Sequence, residues 1–82
     1  MSNDKKKPAH EIRMGTIKAT IWHNETESGS SRHNVQIRRL YRDDQAQEWK
    51  TSDSFGRDDL LLVAKVLDMA HSWIFERVKN EV

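Results

Sequence analysis

The side chains able to do chemistry are few, and their spacing works against a reaction centre. Four histidines, His10, His23, His33 and His71, fall on a tail, a strand end, a strand start and a helix, with no His-Glu-x-x-His pair and no cysteine to complete a metal site. Asp58 and Asp59 are adjacent, so on a helix they project about 100° apart and do not face each other. Two carboxylates in a first helical turn instead complement the helix dipole. Ser52, Ser54 and the serines around Gly29 have no base at a nucleophile's spacing. Gly15, Gly29 and Gly56 lie too far apart to build a phosphate-cradling loop. The expectation is therefore a protein that is not an enzyme, with no metal, no cofactor and no small-molecule substrate.

Recognition chemistry is better represented. The formal net charge is only +1, but the charges are segregated. Arg13 and Lys18 lie between Ile12 and Trp22 without an acid, and Arg32, Arg38, Arg39 and Arg42 lie between Arg32 and Arg42, again without an acid. The carboxylates Glu25, Glu27, Asp43 and Asp44 sit in connecting segments, and Asp58, Asp59, Asp68 and Glu76 on the helix. If the basic segments are strands, Lys18, Thr20, Trp22, Asn34, Gln36, Arg38 and Lys50 share the solvent face of a sheet. That mixture suits single-stranded nucleic acid: cations track phosphates, an aromatic plane stacks a base, and amides offer sequence-tolerant hydrogen bonds. The competing reading is ordinary solvated surface, with Trp22 packed across the strand on Leu40 or an arginine stem.

The elements that must position these residues follow from periodicity. Residues 1–9 are polar, Lys-rich and broken by Pro8, the pattern of a disordered tail, and residues 10–82 form a single domain. Ile17, Ala19 and Ile21 alternate with Lys18, Thr20 and Trp22, the signature of a half-buried strand. Ile12 and Met14 are on the opposite parity, which a bulge at Gly15 reconciles. His23 to Ser31 reads as a mobile loop, and 32–42 as a second strand with Val35 and Ile37 inward. Arg39 and Tyr41 take the inward parity unless a further bulge exchanges them for Leu40. Residues 43–47 form a turn, and Glu48 to about Ser54 a short strand containing Trp49. The fold class is α+β: a three- or four-stranded antiparallel meander followed by one long C-terminal helix packed on the sheet.

That helix spans about Arg57 to Lys79, free of Gly and Pro, with Ser54 as a candidate cap. Its polar arc is narrow, and apolar residues fill about 220° of the remainder, more than one sheet can cover. Leu60, Val63, Leu67, Ala70 and Ile74 form one ridge; Leu62, Val66, Met69 and Trp73 form its neighbour. The second ridge is assigned to the dimer interface of a two-fold homodimer, the reverse assignment being open. Burial there stabilises a domain that at 82 residues has a small core and no disulfide.

The basic sheet, the element order and the stretch Trp49-Lys50-Thr51-Ser52-Asp53-Ser54-Phe55 leading into Asp58-Asp59-Leu60-Leu61-Leu62 resemble the single-stranded DNA-binding fold of the transcriptional coactivator positive cofactor 4 and its bacterial relatives. The resemblance covers roughly residues 10 to 79. That family has four strands before its helix, which this chain matches if the first segment splits at Gly15. The resemblance implies a homodimer binding single strands on its sheet face, with Lys18, Trp22, Arg38 and Lys50 at matching outward positions. The expectation is a homodimeric, non-enzymatic module for single-stranded DNA or RNA; the alternative is a protein–protein interaction module that docks a partner on the apolar helix. Residues 1–8 carry Lys5, Lys6 and Lys7 and no apolar run, so the expected compartment is the cytoplasm and no membrane contact is expected.

Overall fold

The computed structural model describes residues 7–25, 29 and 31–79. Strands β1 (His10–Met14), β2 (Ile17–Glu25), β3 (Ser31–Asp43) and β4 (Glu48–Ser52) form one antiparallel sheet in the order β1-β2-β3-β4. A single 3-10 turn, Arg57–Asp59, leads into the helix α1 (Leu60–Lys79). The fold is α+β, and the sheet has four strands rather than three.

The fourth strand comes from Gly15. Met14 pairs with Ile17, so Gly15-Thr16 is a two-residue hairpin turn rather than a bulge. Gly15 has φ +62° while Thr16 stays at negative φ, the type II′ pattern that places glycine at the first central position. The turn achieves what the bulge was expected to do: Ile12 and Met14 meet Ala19 and Ile17 across the hairpin and all face the helix. Pairing of β2 with β3 continues to Glu25 and Ser31, so His23, Asn24 and Glu25 are strand where a loop was expected. Residues 26–28 and 30 of that expected loop, and residues 1–6 of the expected tail, lie outside the described residues. Ala9 is already tied to the sheet, its amide donating to the Ile21 carbonyl at 2.7 Å.

The β3–β4 turn is held by Asp43. Its Oδ1 accepts from the amides of Gln45 and Ala46 at 3.1 and 3.2 Å, and Gln47 closes the turn at φ 59°. No bulge interrupts β3, so Arg39 and Tyr41 keep the helix side and Leu40 the outer side. Arg39 is useful there because it lies beside the helix start: its Nε donates to the Ser54 carbonyl at 3.0 Å and approaches the Asp59 carboxylate at 3.7 Å. Asp59 also accepts from the Gly56 amide at 2.8 Å while its own amide donates to the Gly56 carbonyl. Asp59, not Ser54, therefore caps the helix entry; the Ser54 amide instead donates to Ser52 Oγ.

The core is Ile12, Ile17, Ala19 and Ile21 from the hairpin with Val66 and Ala70 from α1. Leu62, Val63, Trp73 and Ile74 flank it, half-buried. This corrects the ridge assignment: of the residues expected at a dimer interface, Val66 is fully buried against the sheet, Leu62 and Trp73 pack beside it, and Met69 sits at the margin. The two ridges are equally apolar, so the helix phase is set by its entry, clamped by Arg39 and Asp59, and by fit: Leu62 lies over Gly15, and Trp73 stacks on His10 at 4.8 Å. The helix lies over β1 and β2 and touches β3 at its margin. Outward it leaves an apolar stripe of Leu60, Leu67, Phe75 and Val78, with Phe75 60% and Leu60 53% exposed.

Candidate nucleic-acid interface

Residues directly opposite in an antiparallel pair share a face, so the register fixes what the uncovered side of the sheet presents. Lys18 lies opposite Arg38, Thr20 opposite Gln36 and Trp22 opposite Asn34. Six of the seven expected contact residues are thereby brought together. The seventh, Lys50, is not among them. It pairs with Tyr41 on the helix side, and its Nζ makes a 2.8 Å salt bridge to Asp43. That ammonium, followed by the Ala46 and Gln45 amides, holds the Asp43 carboxyl below its usual 3.8. Alternation had to be counted through a turn, and a one-residue difference in register exchanges the faces.

The same exchange brings Trp49 to the outer face, opposite Arg42, and Thr51 opposite Leu40. Trp49 is 60% exposed. The outer face thus carries two tryptophans rather than one, together with Arg13, Lys18, Arg32, Arg38 and Arg42 against the single strand carboxylate Glu11. Its most telling feature is a row of like charges: Arg13 lies opposite Lys18, and Lys18 opposite Arg38. Like charges directly opposite each other destabilise a sheet by roughly 0.2–1 kcal/mol a pair, so three cations abreast cost stability unless an anion lies across them. Arg13 Nε donates to the Gly15 carbonyl at 3.1 Å. Arg38 approaches Asp53 at 3.7 Å, but that carboxylate side chain is 83% exposed and an exposed pair of this kind contributes about 0–1 kcal/mol. A phosphate can replace it.

Beside the row runs a shallow groove of about 340 Å³, lined by Pro8, Glu11, Lys18, Thr20, Trp22, Gln36, Arg38 and Thr51. Thr20 is its buried floor. The Trp22 indole is half-buried, and its Nε1 donates to Gln36 Oε1 at 3.0 Å. The ring is therefore held by its diagonal neighbour Gln36, not by Leu40, and its plane is fixed before any ligand arrives.

On the helix side, three histidines that sequence spacing scattered come together. His10 stacks on Trp73, His33 meets Trp73 edge-on at 6.1 Å, and His23 lies 4.9 Å from His33, while the Arg77 guanidinium sits 4.3 Å from the Trp73 centroid. The contacts are ring to ring, and no cluster of three side chains able to hold a metal ion occurs among the described residues. Nor is any helix among them long and apolar enough to cross a membrane.

No protein-family model matches the chain, and neither a curated protein nor a solved structure does. The functional reading rests on the geometry of this one sheet and helix.

Proposed function

We propose that the chain is a non-enzymatic, homodimeric module that binds single-stranded nucleic acid on the outer face of its sheet. The row Arg13–Lys18–Arg38, directly across three strands, carries the reading. Cations in register supply phosphate contacts, and Trp22 and Trp49 supply the π-faces that any base can stack on. A duplex is the poorer fit, since its bases are already stacked and offer an aromatic face no partner. The major groove admits a helix or a two-stranded ribbon, and a face four strands wide is neither.

The second copy belongs on the outward stripe of α1. Leu60, Leu67, Phe75 and Val78 recur at helical spacing along about 30 Å, and apolar surface of that length on so small a chain favours association. Two such stripes packed antiparallel are self-complementary. The revised dimer surface replaces Leu62, Val66 and Trp73, which the protomer's own core takes up.

Fluorescence anisotropy of a labelled mixed-sequence oligonucleotide, titrated at two salt concentrations, tests the first half. Binding that weakens with salt supports the reading, and absence of binding at low salt removes it. Sedimentation equilibrium tests the second half. A well-folded monomer at micromolar concentration removes the dimer and leaves the stripe to a different protein, the second reading that the same stripe supports.

A further inference from the structure

We infer that the outer face holds one continuous strand at two stacking posts, Trp22 and Trp49, with the cation row as a phosphate clamp midway between them; this rests on the nucleic-acid reading above. The placement follows from register alone. Trp22 lies opposite Asn34, Lys18 opposite Arg38 and Trp49 opposite Arg42. Along β3 the clamp is therefore four residues from each post, about 13 Å either way at 3.3 Å per residue. The two tryptophans stand on opposite flanks of β3, one on β2 and one on β4, so a strand touching both crosses the sheet obliquely and must pass over Arg38.

The span sets a length. About 26 Å along β3 corresponds to roughly eight nucleotides at the 3.4 Å spacing of a stacked strand, and to about four when the strand is drawn out to twice that. Both values fall within or at the edge of the usual site sizes of single-strand grooves. The posts differ in kind. Trp22 is locked by Gln36, whereas Trp49 is exposed on an edge strand and free to adjust to the base it meets. A strand seated at Trp22 then reaches Trp49 at little further cost, because the second contact is intramolecular.

The test is a length series: oligothymidylates of about 3, 6, 9 and 12 nucleotides, titrated at low salt against the full chain, Trp49→Ala, Trp49→Phe and Trp22→Phe. The trimer can occupy only one post, so Trp49→Ala should change its affinity by no more than about twofold. For the dodecamer the same substitution should weaken binding by about fivefold to a hundredfold, the range for losing one base stack, and Trp49→Phe should restore most of it. Wild-type affinity should rise steeply between the trimer and the nonamer and flatten beyond. Trp49 supports no core side chain, so Trp49→Ala leaves the fold intact, which a thermal melt verifies. Trp49→Ala without effect on a dodecamer that the wild type binds, or an equal loss for trimer and dodecamer, overturns the two-post arrangement while leaving sheet-face binding in place. Failure of the wild type to bind at any length overturns both.

Discussion

Replacing Lys18 and Arg38 together with alanine isolates the electrostatic part of the reading, because the two side chains lie directly opposite each other on the outer face and neither belongs to the core. For single strands each phosphate contact contributes about −0.7 to the slope of log K against log salt, so losing two should flatten the slope by about 1.4. Extrapolated to 1 M salt, that is about a 25-fold loss of affinity at 0.1 M, near 2 kcal/mol, shrinking to about fivefold at 0.3 M. Stability should move the other way. Removing the centre of a three-cation row relieves cross-strand repulsion, so the double variant should melt at the wild-type temperature or slightly above it. Anisotropy titrations at four salt concentrations, with a calorimetric melt of each protein, measure both quantities. An unchanged slope in a variant that still folds would refute the argument that these cations meet phosphates. A lower melting temperature would refute the argument that the row is a cost.

On the helix, Leu67→Asp and Phe75→Asp should leave folded monomers by sedimentation, whereas Val66→Ala, which empties a fully buried site, should cost about 2 kcal/mol in a urea melt without altering the dimer surface. Gly15→Ala should destabilise by about 1–2 kcal/mol, since an alanine at φ +62° is strained and the new Cβ would sit 3.4 Å from Leu62 Cδ1; Gly29→Ala, at φ +91°, carries the backbone strain alone, with no atom within 4 Å of the new Cβ. Asp43 has its carboxyl lowered by Lys50 and two turn amides, so it stabilises the fold above the usual carboxylate range and loses that contribution as pH falls through its own lower value. Asp43→Asn should therefore lower the melting temperature at neutral pH, with the difference from wild type vanishing in strong acid.

Much of this architecture was legible from the pattern. The alternation of Ile17, Ala19 and Ile21 gave one buried face, Val35 and Ile37 joined it, and the uninterrupted stretch from Leu60 to Lys79 gave the helix. What was not legible depended on counting through turns. Gly15 could be a bulge or a hairpin, because both return Met14 and Ile12 to the face of Ile17; only pairing distinguishes them. Lys50 and Trp49 exchanged faces for the same reason, since nothing local announces that Gln47 occupies a left-handed position in the turn before them. The positive φ of a glutamine is a consequence of closing β3 on β4, not of propensity. The two helix ridges were indistinguishable by hydropathy, and their roles were decided by Gly15 and His10, residues far away in sequence. The histidine cluster around Trp73 was invisible for that reason too. The basic row, by contrast, could have been found: once β1 and β2 are read as a two-residue hairpin, Arg13 and Lys18 must oppose each other.

The helix backs only part of the sheet, and β3 crosses the boundary. Its first half, with Val35 and Ile37, rests on the core; its second half carries Arg39, Tyr41 and Asp43 on that side and pairs with an exposed β4. Amide hydrogens in one continuous strand should therefore exchange at two rates, slowly near Ile37 and quickly past Tyr41, because local opening is governed by how much apolar surface backs the ladder. A ligand that grips Trp22 on the slow side and Trp49 on the fast side would tie the loose hairpin to the firm one, and protection should spread into β4 when it binds. Deuterium uptake along β3 and β4 would then report occupancy of the opposite face of the sheet without any label on the ligand.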